Sequence, residues 1–139
     1  MAKIEEILSN VSAERGVVSI LLQNPDRIIE CSSEEIYSEH FAVRGNQVLY
    51  SVICHLVEQG TERFDSNVVY STIQDEVAKA DIDDLGGRLY IDTLLQASII
   101  SSNLTTYIRL VKEASLKRRV HELAESIKQD VRKADSVSE

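Results

Sequence analysis

Residues 103–133 read NLTTYIRLVKEASLKRRVHELAESIKQDVRK, and this stretch decides the fold. It contains neither Gly nor Pro, the two residues that break a helix interior most strongly. Leu116, Val120, Leu123, Ile127, Val131 and the following Ala134 succeed one another at steps of 4, 3, 4, 4 and 3, which lays them along one side of an α-helix. Ser101-Ser102-Asn103 supplies the hydroxyl and amide groups that cap a helix start, and Leu104 is its first apolar contact. Run unbroken to Lys133, such a helix is about 45 Å long. A head of roughly 100 residues is too short to cover a stripe of that length. The outer part of the stripe is therefore expected to meet another chain or a returning segment.

Upstream, helical spacing continues. Ile4, Ile7 and Leu8 open with a short amphipathic turn. Ser12 is the expected N-cap of an apolar helix through Val17, Val18, Ile20, Leu21 and Leu22, with Glu14 placed early for the helix dipole. Asn24-Pro25 ends it, because Pro25 has no amide hydrogen and constrains its neighbour. Asp26 to Glu30 fits a short helical turn, and Ser32 or Ser33 followed by Glu34-Glu35 is the expected next helix start. Gly45-Asn46 opens a helix with a wide stripe of Val48, Leu49, Val52, Ile53, Leu56 and Val57, stopped at Gly60. Asp65-Ser66 caps one helix carrying Val68, Val69, Ile73 and Val77, Asp81 to Gly87 reads as an acidic loop, and a last head helix holds Leu89, Tyr90, Leu94 and Leu95. The 139 residues include only 5 Gly and 1 Pro, with 43% hydrophobic and 27% charged, so a loop-rich or all-β chain is excluded. The expectation is an all-α fold: a compact head of about six helices over residues 1–102, a long helix over 103–134, and a linker or turn over 135–139.

Charge divides the chain. Residues 1–103 hold 7 basic and 17 acidic side chains, whereas 104–133 hold 8 basic and 4 acidic. An acidic head repels a phosphate backbone, so nucleic-acid contact is expected to be weak or absent. No stretch approaches the ~18 apolar residues of a membrane span, and the start Met-Ala-Lys-Ile-Glu-Glu does not resemble a secretion signal, so a soluble, cytoplasmic protein is expected. Cys31 and Cys54 have no CxxC partner and read as reduced apolar fillers, and His40, His55 and His121 share no metal-ligand spacing. Asp81, Asp83 and Asp84 do not continue into a calcium loop. The chain has no phosphate-binding GxxxxGK[ST] loop and no GxSxG elbow, so no catalytic, metal or cofactor site is assigned.

Three ordered blocks carry a family likeness. The first is Ala13-Glu14-Arg15-Gly16-Val17-Val18-Ser19-Ile20-Leu21-Leu22. The second is Phe41 with Val48-Leu49-Tyr50 and the Leu56 to Gly60 ending, in which Asn46 stands where a His is common. The third and most specific runs Gly86-Gly87-x-x-Tyr90-Ile91, then Asn103-x3-Tyr107-x3-Val111-x-Glu113, then Leu116-x-Arg118-Arg119. From Ser12 to Ile127 the chain resembles the N-terminal domain of the DnaB family of replicative DNA helicases.

The resemblance implies a helical head followed by a helical hairpin, of which 103–133 is the first arm. It implies domains that pair around a hexameric ring and a surface for primase and, in some systems, a helicase loader. ATP and magnesium belong to a separate motor domain. Leu116, Val120, Leu123, Ile127 and Val131 are the expected oligomer or hairpin interface; Glu14, Gly86, Gly87, Tyr90, Asn103, Tyr107, Val111, Arg118 and Arg119 are the structural residues of the motif. Competing readings are the helicase-binding domain of a primase, which the Gly-Gly to Asn to Tyr block disfavours, a free-standing phage regulator of the helicase, and an enzyme with an unrecognised site.

Overall fold

The computed structural model describes residues 9–138, and all regular structure among them is helical. Ile4, Ile7 and Leu8 lie outside the described residues. Seven α-helices follow in order: α1 (Val11–Gln23), α2 (Ile28–Ser33), α3 (Arg44–Glu58), α4 (Ser66–Thr72), α5 (Glu76–Asp83), α6 (Arg88–Gln96) and α7 (Leu104–Ser138). Short 3-10 turns at Pro25–Arg27, Ser38–His40 and Ser101–Asn103 link them.

Helix α1 is the axle of the head. Val17, Val18, Ile20, Leu21 and Leu22 are all buried, and α3, α6 and α7 pack around it. A helix apolar on nearly every side must be enclosed, which is why its periodicity alone is ambiguous with a strand. Helix α3 presents Leu49, Val52, Ile53 and Leu56 to this core, as its stripe predicts, and α5 packs on α3 while α4 packs on α6.

Several boundaries differ from expectation. The N-cap of α1 is Asn10, whose side chain accepts from the Ala13 amide at 3.0 Å, so Ser12 lies inside the helix. Ser33 ends α2 rather than starting a helix. Glu35 adopts φ 57°, and the Ile36 amide turns back to donate to the Cys31 carbonyl at 3.0 Å. The stretch expected as one helix from Ser66 is two: α4 stops at Thr72, buried Ile73 is extended, and Asp75 caps α5 through the Val77 amide. Asp81 to Asp83 belong to α5, leaving only the turn before Arg88 outside helix. At the other end, α7 runs to Ser138, past the expected end at residue 134.

One corner of the core is sensitive to base. Cys31 is buried, and burial pushes its thiol up to about 12; burial also raises Cys54 and Tyr50, whose hydroxyl donates to the Ile36 carbonyl at 2.8 Å. Each group is held in its neutral form, so its folded pKa exceeds its unfolded one. The stability they contribute is complete below their unfolded values, roughly pH 8.5 for the thiols. It declines as pH rises through the folded value, about 12 for Cys31. Urea midpoints are expected to be flat between pH 7 and 8 and to fall from roughly pH 9 upward. A midpoint constant to pH 11 would contradict this.

Candidate assembly and docking surface

The motif residues fall into two groups: those that shape the head and those that lead onto α7. Glu14 heads the first. It is 1% exposed, yet its carboxylate has three donors: the Ala42 amide at 2.8 Å, the Val43 amide at 3.2 Å and the Asn46 side chain at 3.2 Å. Both amides lie in the segment that leads into α3, so the acid, in the first turn of its own helix as expected, also fastens the entry to the next one. Asn46, fully buried, in turn accepts from the Tyr90 hydroxyl at 2.6 Å. Arg15 lies over the Tyr90 ring, 5.7 Å from its centre. One chain of polar contacts thus fastens α1, α3 and α6, with no buried side-chain polar atom left unpartnered among the described residues.

Gly86 and Gly87 make the turn into α6 with φ of 121° and 63°, a backbone that L side chains rarely adopt. The Gly87 amide donates to the Ile82 carbonyl at 2.9 Å, and the Gly87 carbonyl accepts from the Tyr90 amide at 3.1 Å, which sets Tyr90 at the first turn facing Asn46. Tyr107 packs its ring against Gly16, where an added Cβ would come within 2.8 Å of the ring. That pair lets α7 approach α1 closely. Val111 is buried in the core, and Asn103 is exposed in the 3-10 turn before α7.

Beyond this anchorage α7 leaves the head. Leu104, Ile108, Val111, Ala114 and Ser115 are buried, and the change at the next position is abrupt. Leu116, Val120, Leu123, Ile127 and Val131 are 54–62% exposed, so the head does not cover the predicted stripe. At 1.5 Å per residue, the buried contacts of α7 span about 18 Å, side-chain contacts reach Arg118 and Arg119, and roughly 28 Å projects beyond them. Two cationic side chains brace the exit. Lys112 Nζ donates to the Glu34 carbonyl at 2.6 Å, and Arg118 Nη2 donates to the His40 carbonyl at 2.7 Å. Between α7 and the segment from Glu34 to His40 lies a cleft of about 470 Å³, with Leu116, Arg109 and Arg119 on its α7 wall.

The motif therefore brings Glu14 and Tyr90 together through Asn46, and Tyr107 and Val111 together with α1; Arg118 and Arg119 lie apart from both, at the exit of α7. The sequence offers Asn46 as part of a helix start and as a departure from the common His, yet Asn46 is the central member of the buried network. The signal available was its place on the buried side of the α3 stripe, three residues before Leu49. The carbonyl contacts of Lys112 and Arg118 have no sequence signal, because any residue has a carbonyl. Among the described residues no cluster of three or more His, Cys, Asp or Glu is placed to hold a metal ion, and no helix is long and apolar enough to cross a membrane.

Comparison with known proteins agrees with this geometry. Residues 6–113 match the family described as DnaB-like helicase N terminal domain. The replicative DNA helicase DnaB of Geobacillus stearothermophilus is 26% identical over 122 residues, covering 87% of this chain and 26% of that protein. The replicative DNA helicase DnaC of Bacillus subtilis is 25% identical over 122 residues, again 87% of this chain and 26% of the relative. The chain thus spans about a quarter of the length of the curated relatives it matches. Among solved structures, the N-terminal domain of DnaB helicase from Mycobacterium tuberculosis superposes with a TM-score of 0.74 at 24% identity, covering 88% of this chain and 84% of that one, a likeness of fold. With the family match spanning most of the head and the first turns of α7, the chain belongs to the DnaB-like helicase N-terminal domain family.

Proposed function

We propose that this chain is the assembly and partner-docking domain of a hexameric, ATP-dependent replicative DNA helicase. It acts in DNA replication in the cytoplasm of a bacterial or phage-infected cell. The observation that carries the reading is the exposed seam on α7: five large apolar side chains in helical register on a rod that projects from a finished core. Exposed apolar surface of that regularity marks a contact with another helix. The seam pairs with helices of neighbouring domains and so supports the ring. The head presents a docking surface for primase or a loader. The ATP- and magnesium-dependent motor belongs to a separate domain in this reading, and the acidic head makes little or no contact with DNA. In this reading the head extends to residue 102 and the long helix from residue 103 to 134 is the arm, with its first turns anchored in the head.

Leu123→Asp tests the seam. Leu123 is exposed in the single chain, so the fold should survive, with an unchanged far-ultraviolet circular dichroism spectrum. A pairing contact would lose about 2–3 kcal/mol of leucine burial and would enclose a carboxylate besides. Self-association is expected to weaken at least ~100-fold, with light scattering returning the 15.6 kDa monomer at concentrations where the unaltered chain is larger. The same mass for both proteins across that range would overturn the reading.

A further inference from the structure

We propose that the head carries a groove for a short cationic amphipathic helix of another protein, along the outer side of α3 and away from the cleft beside α7. The inference rests on the reading of the head as a docking module, and it names the place and the chemistry of the partner. Gln47, Val48, Ser51, Cys54, His55 and Glu58 share the side of α3 turned away from Leu49, Ile53 and Leu56 in the core. Two depressions lie along this side. One of about 520 Å³ has Tyr50, Cys54 and Glu58 on its α3 wall and Ile36 and Tyr37 opposite. The other, of about 380 Å³, lies between Val48 and Val52 of α3 and the segment holding Ile73 and Ala78. Ser38 and Ser51 line both, so the two depressions meet at a saddle of small side chains. Tyr37 lines the first and is 56% exposed, an aromatic of the kind that anchors protein contacts.

The charges of the groove set the sign of its occupant. No lysine or arginine lines either depression, and His55 is the one side chain there that can carry positive charge. Glu58 lines one depression and Asp75 the other, and the exposed Glu35, Glu39 and Glu76 adjoin lining residues in the chain. The cleft beside α7, by contrast, mixes Arg109, Lys112 and Arg119 with Glu34 and Glu113 and so selects neither sign. Cationic groups on the partner gain from such a rim in both encounter rate and register. The backbone of the occupant follows as well. An extended peptide pairs with the free backbone groups of a sheet edge, and all regular structure among the described residues is helical. A helix satisfies its own amides and carbonyls and can lie on side chains alone. Val48 and Cys54, one in each depression, are roughly 9 Å apart along α3, close to the ~10.5 Å between positions i and i+7 of a partner helix. Two apolar side chains at that spacing fill the depressions, and lysines or arginines beside them meet Glu58 and Asp75.

Panning a displayed library of random peptides, each about 15 residues long, on the unaltered full chain tests the groove. Retained sequences are expected to repeat apolar residues at helical period and to carry net positive charge. A fluorescein-labelled copy of the tightest is then titrated by anisotropy. Ser51→Arg fills the saddle and sets a cation in the groove; Ser51 is exposed, so the circular dichroism spectrum should not change, and the peptide should bind at least ~10-fold more weakly. Glu58→Lys should also weaken it, whereas Glu125→Lys, the same change of charge on the projecting arm, should not. An absence of retained peptides, retained peptides that are acidic or lack helical spacing, or equal binding by Ser51→Arg and the unaltered chain would each overturn the inference. A Ser51→Arg chain that keeps the peptide but changes its self-association would assign the groove to a second copy and overturn it too. The seam is judged apart, by light scattering of Leu123→Asp, whose peptide binding should equal that of the unaltered chain. A chain that assembles but retains no peptide loses the groove alone, and one that binds peptide but never assembles loses the seam alone.

Discussion

Replacing Glu14 with Ala is expected to lower the unfolding free energy by about 3 kcal/mol and the thermal midpoint by roughly 10 °C. The side chain is buried and accepts from three donors, two of them backbone amides in the segment leading into α3. Alanine would leave all three facing a gap, each losing a charged acceptor that water replaces poorly at a buried site. The damage does not stop there. Asn46 would lose the group that orients it, and with it the well-aligned acceptor for Tyr90. Glu14→Gln keeps one carbonyl acceptor but introduces an amide with no place to donate, so an intermediate loss is expected, about 1–2 kcal/mol. Urea unfolding of the three proteins measures this. A loss below 1 kcal/mol for the alanine variant would show that water replaces the carboxylate and that the network is not cooperative.

Gly16→Val should cost about 2–3 kcal/mol, the range expected for overpacking a closed interface. A single Cβ at this position already comes within 2.8 Å of the Tyr107 ring, and valine adds two methyl groups to a contact with no room for the first. The strain is directed at the packing of α7 on α1, so its readout is local as well as global. Limited proteolysis should cut between α6 and α7 sooner than in the unaltered protein. Tyr107→Ala should rescue Gly16→Val in part, since the smaller side chain vacates the space, and the double variant should be more stable than the sum of single losses predicts. Strict additivity would mean that the ring moves aside freely and that the close approach does not depend on this pair.

What could be read from the chain alone follows a physical division. The α3 stripe and the α7 seam were legible because a helix that buries one side repeats its apolar residues at a fixed period. Pro25 was legible because its ring forbids the continuing helix whatever surrounds it. The ends of α2 and α4 were not. Ser32, Ser33, Glu34 and Glu35 have side chains that suit a helix start, but burial of Ile36 and Phe41 turns the chain away there, and that demand comes from the core. Likewise Val77 continues the apolar spacing of Val68 and Val69, yet Ile73 is drawn into the core with an extended backbone, and the helix breaks around it. At the candidate surface, the exposed side chains of the seam were read from the sequence, whereas the cleft was not, because it forms from Arg109, Leu116 and Glu34, which only the docking angle of α7 brings together.

The seam has an internal echo. Leu116, Val120 and Leu123 recur as Ile127, Val131 and Ala134, each displaced by eleven positions. Eleven residues over three turns is about 3.67 per turn, slightly more than the natural winding of an α-helix, where a seven-residue repeat gives 3.5. A strip with this pitch drifts very little around its rod and, where it drifts, does so in the right-handed sense. Whatever helix lies along it must therefore run nearly straight beside it, without the left-handed wrap of a leucine zipper, so the projecting arm is a strut and not a strand of rope.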